Sequence, residues 1–204
     1  HGKIKGDTIE CPYHGWQFDG TGACRKIPSL GKDAKIPARA KVDAYPVQEK
    51  YGLIFVFLGD LPEAERPPLI DVPEWDQPGW RFTSNPYTVN CNFQRTLENT
   101  LDPAHTEFVH PVMGFQGEKD EYRIEELELV ETAWGCGNKT RAVDTPMPQG
   151  SIKREIRGEG TKTETKTGHF GPNSTYTYIH FSPKAWSHQY SFVTPIDKFS
   201  TRRF

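Results

Sequence analysis

The chain has 204 residues, enough for one large domain or two modest ones with a real core. Lys+Arg number 25 against 27 Asp+Glu, a formal net charge of -2, with no block of like charge to suit nucleic acid or a membrane surface. No apolar run approaches the ~20 residues of a membrane helix, and four widely spaced cysteines (Cys11, Cys24, Cys91, Cys136) do not resemble a small disulfide scaffold. The balance points to a reducing compartment, with the cytoplasm as the expectation.

The chain opens on His1 rather than Met and closes on Phe204 inside a strand-like stretch, so both ends read as cuts in a longer protein. The first sixty residues read as all-β. Residues 7–11 and 16–18 are short strand candidates. Asp19-Gly20-Thr21-Gly22 is a turn signal, and residues 23–27 form the returning strand. Residues 51–58 are rich in β-branched and aromatic side chains and predict a buried strand.

Residues 61–79 hold Pro62, Pro67, Pro68, Pro73 and Pro78, a density that defeats regular structure. They predict a linker over a surface, pinned by Trp75 and Trp80. A strand is expected at residues 81–89 and a helix at 93–110, flawed by Pro103. From Arg123 onward, strands are expected at 124–132, 139–143, 152–156, 161–169, 175–181 and 189–194, spaced as in an antiparallel sheet.

Two constellations carry chemistry. The first is Cys11-Pro12-Tyr13-His14-Gly15-Trp16. A Cys and a His three apart on a tight turn can face one metal or cluster. Pro12 stiffens the loop and Gly15 lets backbone pass close. A bare pair of this kind is more often half a zinc site or an ordinary strand end.

The second runs from Glu98-Asn99-Thr100-Leu101-Asp102 through Pro103-Ala104-His105 to His110. Two His with a carboxylate make the facial triad of non-haem Fe(II) sites. On an ideal helix, residues five apart point about 140° away from each other. His105 and His110 therefore converge only if the helix is distorted, and Pro103 offers the cause. Asp102 shares a face with His105 and can accept from its ring nitrogen, fixing tautomer and orientation. The bland reading is a pair of solvated helix histidines.

Gly6-Asp7-Thr8-Ile9-Glu10-Cys11-Pro12-Tyr13-His14-Gly15-Trp16-Gln17-Phe18-Asp19, with Gly22 and Ile27-Pro28 after it, closely resembles the second cluster-binding loop of Rieske oxygenases. The order of the two motifs resembles the catalytic subunits of Rieske non-haem iron oxygenases, as do the flanking Asn92-Phe93-Gln94-Arg95 and Pro111-Val112-Met113-Gly114-Phe115. The resemblance covers essentially the whole chain, loosely after residue 130. It implies an α+β fold: an all-β Rieske domain at 1–60, a Pro-rich linker at 61–79, and a catalytic domain at 80–204 with a curved antiparallel sheet packed on helices in a helix-grip manner, both domains incomplete. Cys11 and His14 would hold half of a [2Fe–2S] cluster, in which two Cys bind one iron and two His the other, with Trp16 packed nearby. The other Cys-His loop of the family lies upstream of His1, and Cys24 makes no substitute.

By the same resemblance His105 and His110 would ligate a mononuclear Fe(II), and Asp102 would bridge electron transfer from the cluster of a neighbouring subunit in a homotrimer. The third ligand of the family is a downstream carboxylate, expected past Phe204 rather than at Asp197. Glu98 approaches the iron or simply starts a helix. The implied function is O2-dependent oxidation of an organic substrate, aromatic ones included, by hydroxylation, dihydroxylation, demethylation or desaturation, with electrons from NAD(P)H through a ferredoxin or flavin reductase. This stretch alone is expected to be inactive. The competing readings are a Rieske electron carrier, which leaves His105 and His110 idle, and a zinc hydrolase using Asp102, His105 and His110, which leaves the Cys11 loop idle.

The remaining candidates are read as structural. His169, His180 and His188 lie in strand-like regions. Phe170, Tyr176, Tyr178 and Phe181 could line a cavity but fit plain sheet core. Cys91 and Cys136 read as small buried hydrophobes, and Lys162, Glu164 and Lys166 as a solvated strand face.

Overall fold

The computed structural model describes residues 1–118, 121–124 and 126–204. It divides into two compact units, His1–Glu65 and Arg66–Phe204.

The first unit holds β1 (Lys3–Lys5), β2 (Thr8–Glu10), β3 (Gln17–Asp19) and β4 (Cys24–Lys26), an antiparallel sheet in the order β1-β2-β3-β4. The β3–β4 turn closes because Asp19 Oδ1 accepts from Thr21 N (2.9 Å), Thr21 Oγ1 (2.6 Å) and Ala23 N (3.1 Å). Gly22, at φ 81, has no room for a side chain, since a Cβ would sit 2.1 Å from Val42 O.

A separate hairpin pairs β5 (Val47–Lys50) with β6 (Leu53–Val56). Tyr51 and Gly52 join them with positive φ at both positions, as a two-residue hairpin turn requires. The expected buried strand at 51–58 is corrected: β6 alternates, and Ile54 is 73% exposed. A hairpin with one partner strand buries one face only.

The second unit contains β7 (Tyr87–Val89), α1 (Phe93–Leu101), α2 (Thr106–Val109), β8 (Leu129–Thr132), β9 (Gly135–Asn138) and β10 (Arg141–Val143). It continues with α3 (Ser151–Arg157), β11 (Thr163–Phe170), β12 (Ser174–Ser182), β13 (Ala185–Asp197) and β14 (Ser200–Arg203). The sheet runs β7-β14-β13-β12-β11-β9-β8, with β10 also on β11, and every pairing is antiparallel.

Residues 152–156, expected as a strand, belong to α3. Ser151–Arg157 sits between Gly150 and Gly158, both at positive φ, and basic residues occupy its last turn. The short alternating apolar pattern there was ambiguous between the two periods. The strand expected at 81–89 shrinks to β7. That expected at 124–132 shrinks to β8, and Glu125 within it lies outside the described residues. Cys91 and Cys136 are half-buried rather than buried.

Register sorts the sheet into two faces. Thr165 opposes Ile179, Thr175 opposes Ser191, and Val193 opposes Arg203, so these residues share one face. That face carries α1: Arg203 Nη2 donates to Ser191 Oγ (2.8 Å) and Thr100 Oγ1 (3.3 Å), and Thr201 Oγ1 donates to Cys91 O (2.8 Å). Thr163, Thr175, Thr201 and Val193 are buried on it. The opposite face carries Tyr176, Tyr178, His180, Trp186, His188 and Tyr190. Tyr176 lies across two glycines there: a Cβ on Gly168 or Gly137 would come within 2.3 or 2.5 Å of its Oη.

Candidate metal centre

The expected helix at 93–110 is two helices. α1 starts where Asn92 Oδ1 accepts from Gln94 N (3.0 Å). It ends at Asp102, which is extended (φ -82, ψ 113). Pro103 is the reason, because its ring crowds the preceding residue out of the α region. α2 restarts at Thr106, whose Oγ1 donates to Pro103 O (2.7 Å). Gly114 then turns tightly onto α2, where any Cβ would meet Glu107 Cα at 2.3 Å.

His105 and His110 cap the two ends of α2. Their Nε2 atoms lie 3.2 Å apart, with ring centroids at 5.1 Å and planes at 67°. Rings meeting head to head at that nitrogen separation would hold their centroids further apart, so the two nitrogens do not point straight at each other. Two ring nitrogens each about 2.1 Å from one ion, subtending about 100°, are separated by this much. The pair therefore fits a single metal.

Asp102 Oδ2 stands 3.5 Å from His105 Nδ1, while its Oδ1 accepts from Ala104 N (2.7 Å). The longer distance is outside a good hydrogen bond, and His105 Nδ1 is buried without a partner. A small rotation of Asp102 would close that gap and let its carboxylate fix the tautomer and orientation of His105. Glu98 instead pairs with Arg95. Asp197 accepts from Phe199 N (2.7 Å) in the turn between β13 and β14, so the chain continues into a hairpin there. No group of three or more His, Cys, Asp and Glu gathers as a metal site among the described residues.

Cys11 and His14 sit on the loop between β2 and β3. Cys11 N donates to Trp16 O (2.7 Å) and Gly15 N to Cys11 O (2.9 Å), which closes the loop. Gly15 has φ 71, and a Cβ there would press on Pro28 at 3.1 Å. His14 is exposed, with Tyr13 packed against its ring at 3.9 Å. Trp16 packs toward Phe18 at 6.3 Å between centroids. The Cys11 thiol is free, and Cys24 is buried with its Sγ 3.4 Å from Lys26 O. The donor set of the loop, one thiol and one imidazole, is what one half of a Rieske cluster uses.

Sequence reasoning missed a polar cluster on the sheet face opposite α1. Glu74 Oε1 meets His188 Nδ1 at 2.5 Å and Glu74 Oε2 accepts from Tyr190 Oη at 2.9 Å. Tyr178 and Tyr190 hydroxyls are 2.9 Å apart, and His180 Nε2 is 2.8 Å from His188 Nε2. These two rings are nearly coplanar (18°) at a 5.1 Å centroid separation, an end-on N–H···N bond. Burial pushes the Glu74 carboxyl up, but the bonds from His188 and Tyr190 outweigh it and hold it below its ordinary value. Burial, with the Tyr178 and Glu74 bonds, holds the Tyr190 phenol far above its ordinary value. Trp80 packs on His188 (4.7 Å) and Trp186 (6.0 Å), so two side chains of the Pro-rich segment fasten it to the sheet. The presence of Glu74 beside Trp75 in a proline-rich stretch gave no periodicity to read.

Comparison with known proteins matches two family models along the chain. Residues 1–46 match the Rieske [2Fe-2S] domain, and residues 89–204 match the vanillate O-demethylase oxygenase C-terminal domain. The chain belongs to the Rieske non-haem iron oxygenases. It is 32% identical over 134 residues to the chloroplastic protein TIC 55 of Pisum sativum, covering 64% of this chain and 24% of that one. It is 35% identical over 111 residues to methylxanthine N1-demethylase NdmA of Pseudomonas putida, covering 54% and 31%. The solved structure of NdmA from Pseudomonas putida CBB5 with caffeine superposes with a TM-score of 0.73 at 24% identity, covering all of this chain and 56% of that one, which shows the shared fold. The chain spans about a quarter to a third of the length of these curated relatives. No helix among the described residues is long and apolar enough to cross a membrane.

Proposed function

We propose that the protein containing this chain oxidises a small organic substrate with O2, by hydroxylation, dihydroxylation or O- or N-demethylation. The observation that carries the reading is the convergence of His105 and His110 Nε2 at 3.2 Å in a chain of this family. Methylxanthine in one relative's name and vanillate in the matched domain's description favour an aromatic substrate. The four free thiols suit a reducing compartment such as the cytoplasm.

In this reading His105 and His110 hold the mononuclear iron, with a carboxylate from outside this chain as third ligand. Asp102 orients His105 and bridges to the cluster of a neighbouring subunit in a homotrimer. Cys11 and His14 hold one half of the [2Fe–2S] cluster and Trp16 shields it. A ferredoxin or flavin reductase draws electrons from NAD(P)H. Iron would supply O2 activation when bound; the chain supplies two imidazoles that converge, a carboxylate beside His105 to set its tautomer, and a threonine-rich sheet face to bound the substrate's space.

The test is iron analysis with EPR on the dithionite-reduced full-length protein, with and without His105→Ala. A Rieske signal plus an iron pool that the substitution removes is the expected result. A Rieske signal with an iron count indifferent to His105→Ala makes the protein an electron carrier.

A further inference from the structure

One strand holds both ends of α1, the helix that stops at Asp102. Thr201 and Arg203 are two apart on β14 and therefore point to the same face, the one toward α1. Thr201 is fully buried and donates from Oγ1 to Cys91 O (2.8 Å), just ahead of the Asn92 cap. Arg203 reaches the last turn, where its Nη2 donates to Thr100 Oγ1 (3.3 Å). Thr100 Oγ1 itself donates to Thr96 O (3.1 Å), so its lone pairs remain for Arg203. Phe93 and Thr100 are separated by about 10 Å of helix rise, whereas Thr201 and Arg203 lie about 7 Å apart on the strand. A short hydroxyl serves the near end, and the far end needs a long side chain.

That side chain is held still. Arg203 Nε and Nη2 both donate to Ser191 Oγ on β13, at 3.0 and 2.8 Å, and β14 is paired on both sides, by β13 and β7. A planar fork fixed in this way loses little further freedom when it also bonds Thr100.

The placement matters because Asp102 and His105 belong to different helices. Asp102 N donates to Glu98 O (3.0 Å), so Asp102 is carried by α1. His105 is carried by α2, since Val109 N donates to its carbonyl (2.9 Å). Asp102 Oδ1 is occupied by Ala104 N, which leaves Oδ2 for His105 Nδ1, the ring nitrogen buried without a partner. The 3.5 Å between them therefore follows the position of the last turn of α1.

We propose that Arg203, acting through Thr100, is a positioning residue of the histidine pair: it sets where α1 ends, and thereby how closely the Asp102 carboxylate approaches His105 Nδ1. Its bearing on turnover rests on the oxygenase reading. The placement itself requires neither iron nor O2.

The experiment is the rate at which diethyl pyrocarbonate modifies His105 in the full-length protein stripped of mononuclear metal, read by peptide mass spectrometry with His110 as internal control. A carboxylate at Nδ1 keeps the hydrogen there and leaves the Nε2 lone pair to react. Asp102→Asn should therefore slow His105. Thr100→Val and Arg203→Gln should slow it by the same factor, while His110 keeps its rate. Thr100→Ser, which retains the acceptor without the methyl group, should react as the parent does. Thr100→Val added to Asp102→Asn should slow His105 no further, because both act through one contact. Reductase-coupled O2 consumption per iron should fall about 10-fold in Thr100→Val and recover in Thr100→Ser. A loss in Thr100→Ser with Thr100→Val unaffected would reduce the contact to packing and overturn the inference. So would additive losses in the double variant, or an Asp102→Asn protein in which His105 reacts at the parent's rate. The expected order of His105 rates in a protein without the second iron pool would instead overturn the oxygenase reading and keep the positioning role.

Discussion

His105 Nε2 stands 3.2 Å from His110 Nε2 across a helix that has been cut in two between them. Asp102, extended because Pro103 follows it, makes the cut. The approach of the two imidazoles therefore rests on the proline ring at position 103. Pro103→Ala should let Asp102 return to the α region and extend α1. Iron retained after dialysis should fall by about tenfold or more, with far-UV helicity slightly raised. Unchanged iron content would mean that packing alone sets the break.

Asp102 sits 3.5 Å from His105 Nδ1 and is half-exposed. Asp102→Asn should keep the mononuclear iron but lower reductase-coupled O2 consumption by about 10- to 100-fold. Iron and turnover falling together would make Asp102 a simple prop for His105.

Glu74 is bonded to His188 and Tyr190 and its carboxyl is held below its ordinary value. Glu74→Gln should cost about 1–3 kcal/mol in denaturant unfolding. The sign with pH follows from the depressed value: the contribution is fully present above the unfolded carboxyl's pKa of about 4.3. It is lost as pH falls through the lower folded value. The parent should therefore lose stability in acid more steeply than Glu74→Gln. Parallel acid profiles would place the clasp's energy elsewhere.

Gly168 has no space for a side chain, since its Cβ would lie 2.3 Å from Tyr176 Oη and 2.4 Å from Cζ. Gly168→Ala should destabilise by about 1–3 kcal/mol through overpacking. Pairing it with Tyr176→Ala should recover part of that cost in a double-mutant cycle. Additive losses would show that the strand, not the ring, resists the methyl group.

The Cys11 loop was legible because its residues are chemically unusual and contiguous. Asp19 and Gly22 announced their turn, and β11, β12 and β13 announced themselves by alternation. The break in the His105 helix was legible in kind, from Pro103, though not in extent. What stayed hidden depends on long-range partners. The sequence of α3 reads as a strand because its glycine flanks weigh less in a short window than its apolar spacing. The exposed face of β6 depends on how many strands pair beside it. Glu74 meets His188 across 114 positions, and Arg157 reaches Phe181 O on a different element.

Tyr178, Tyr190 and His188 share a surface with Glu74 and Trp80, whereas α1 occupies the other side of the same strands. Along β12 and β13, therefore, odd and even positions answer to different demands. A substitution at Ser191 or Thr175 touches the side that faces α1. One at Tyr190 or Tyr178 touches the fastening of the proline-rich segment. An engineer could rewrite every second residue of two strands against α1 and leave the alternate residues, which fasten the proline-rich segment, untouched.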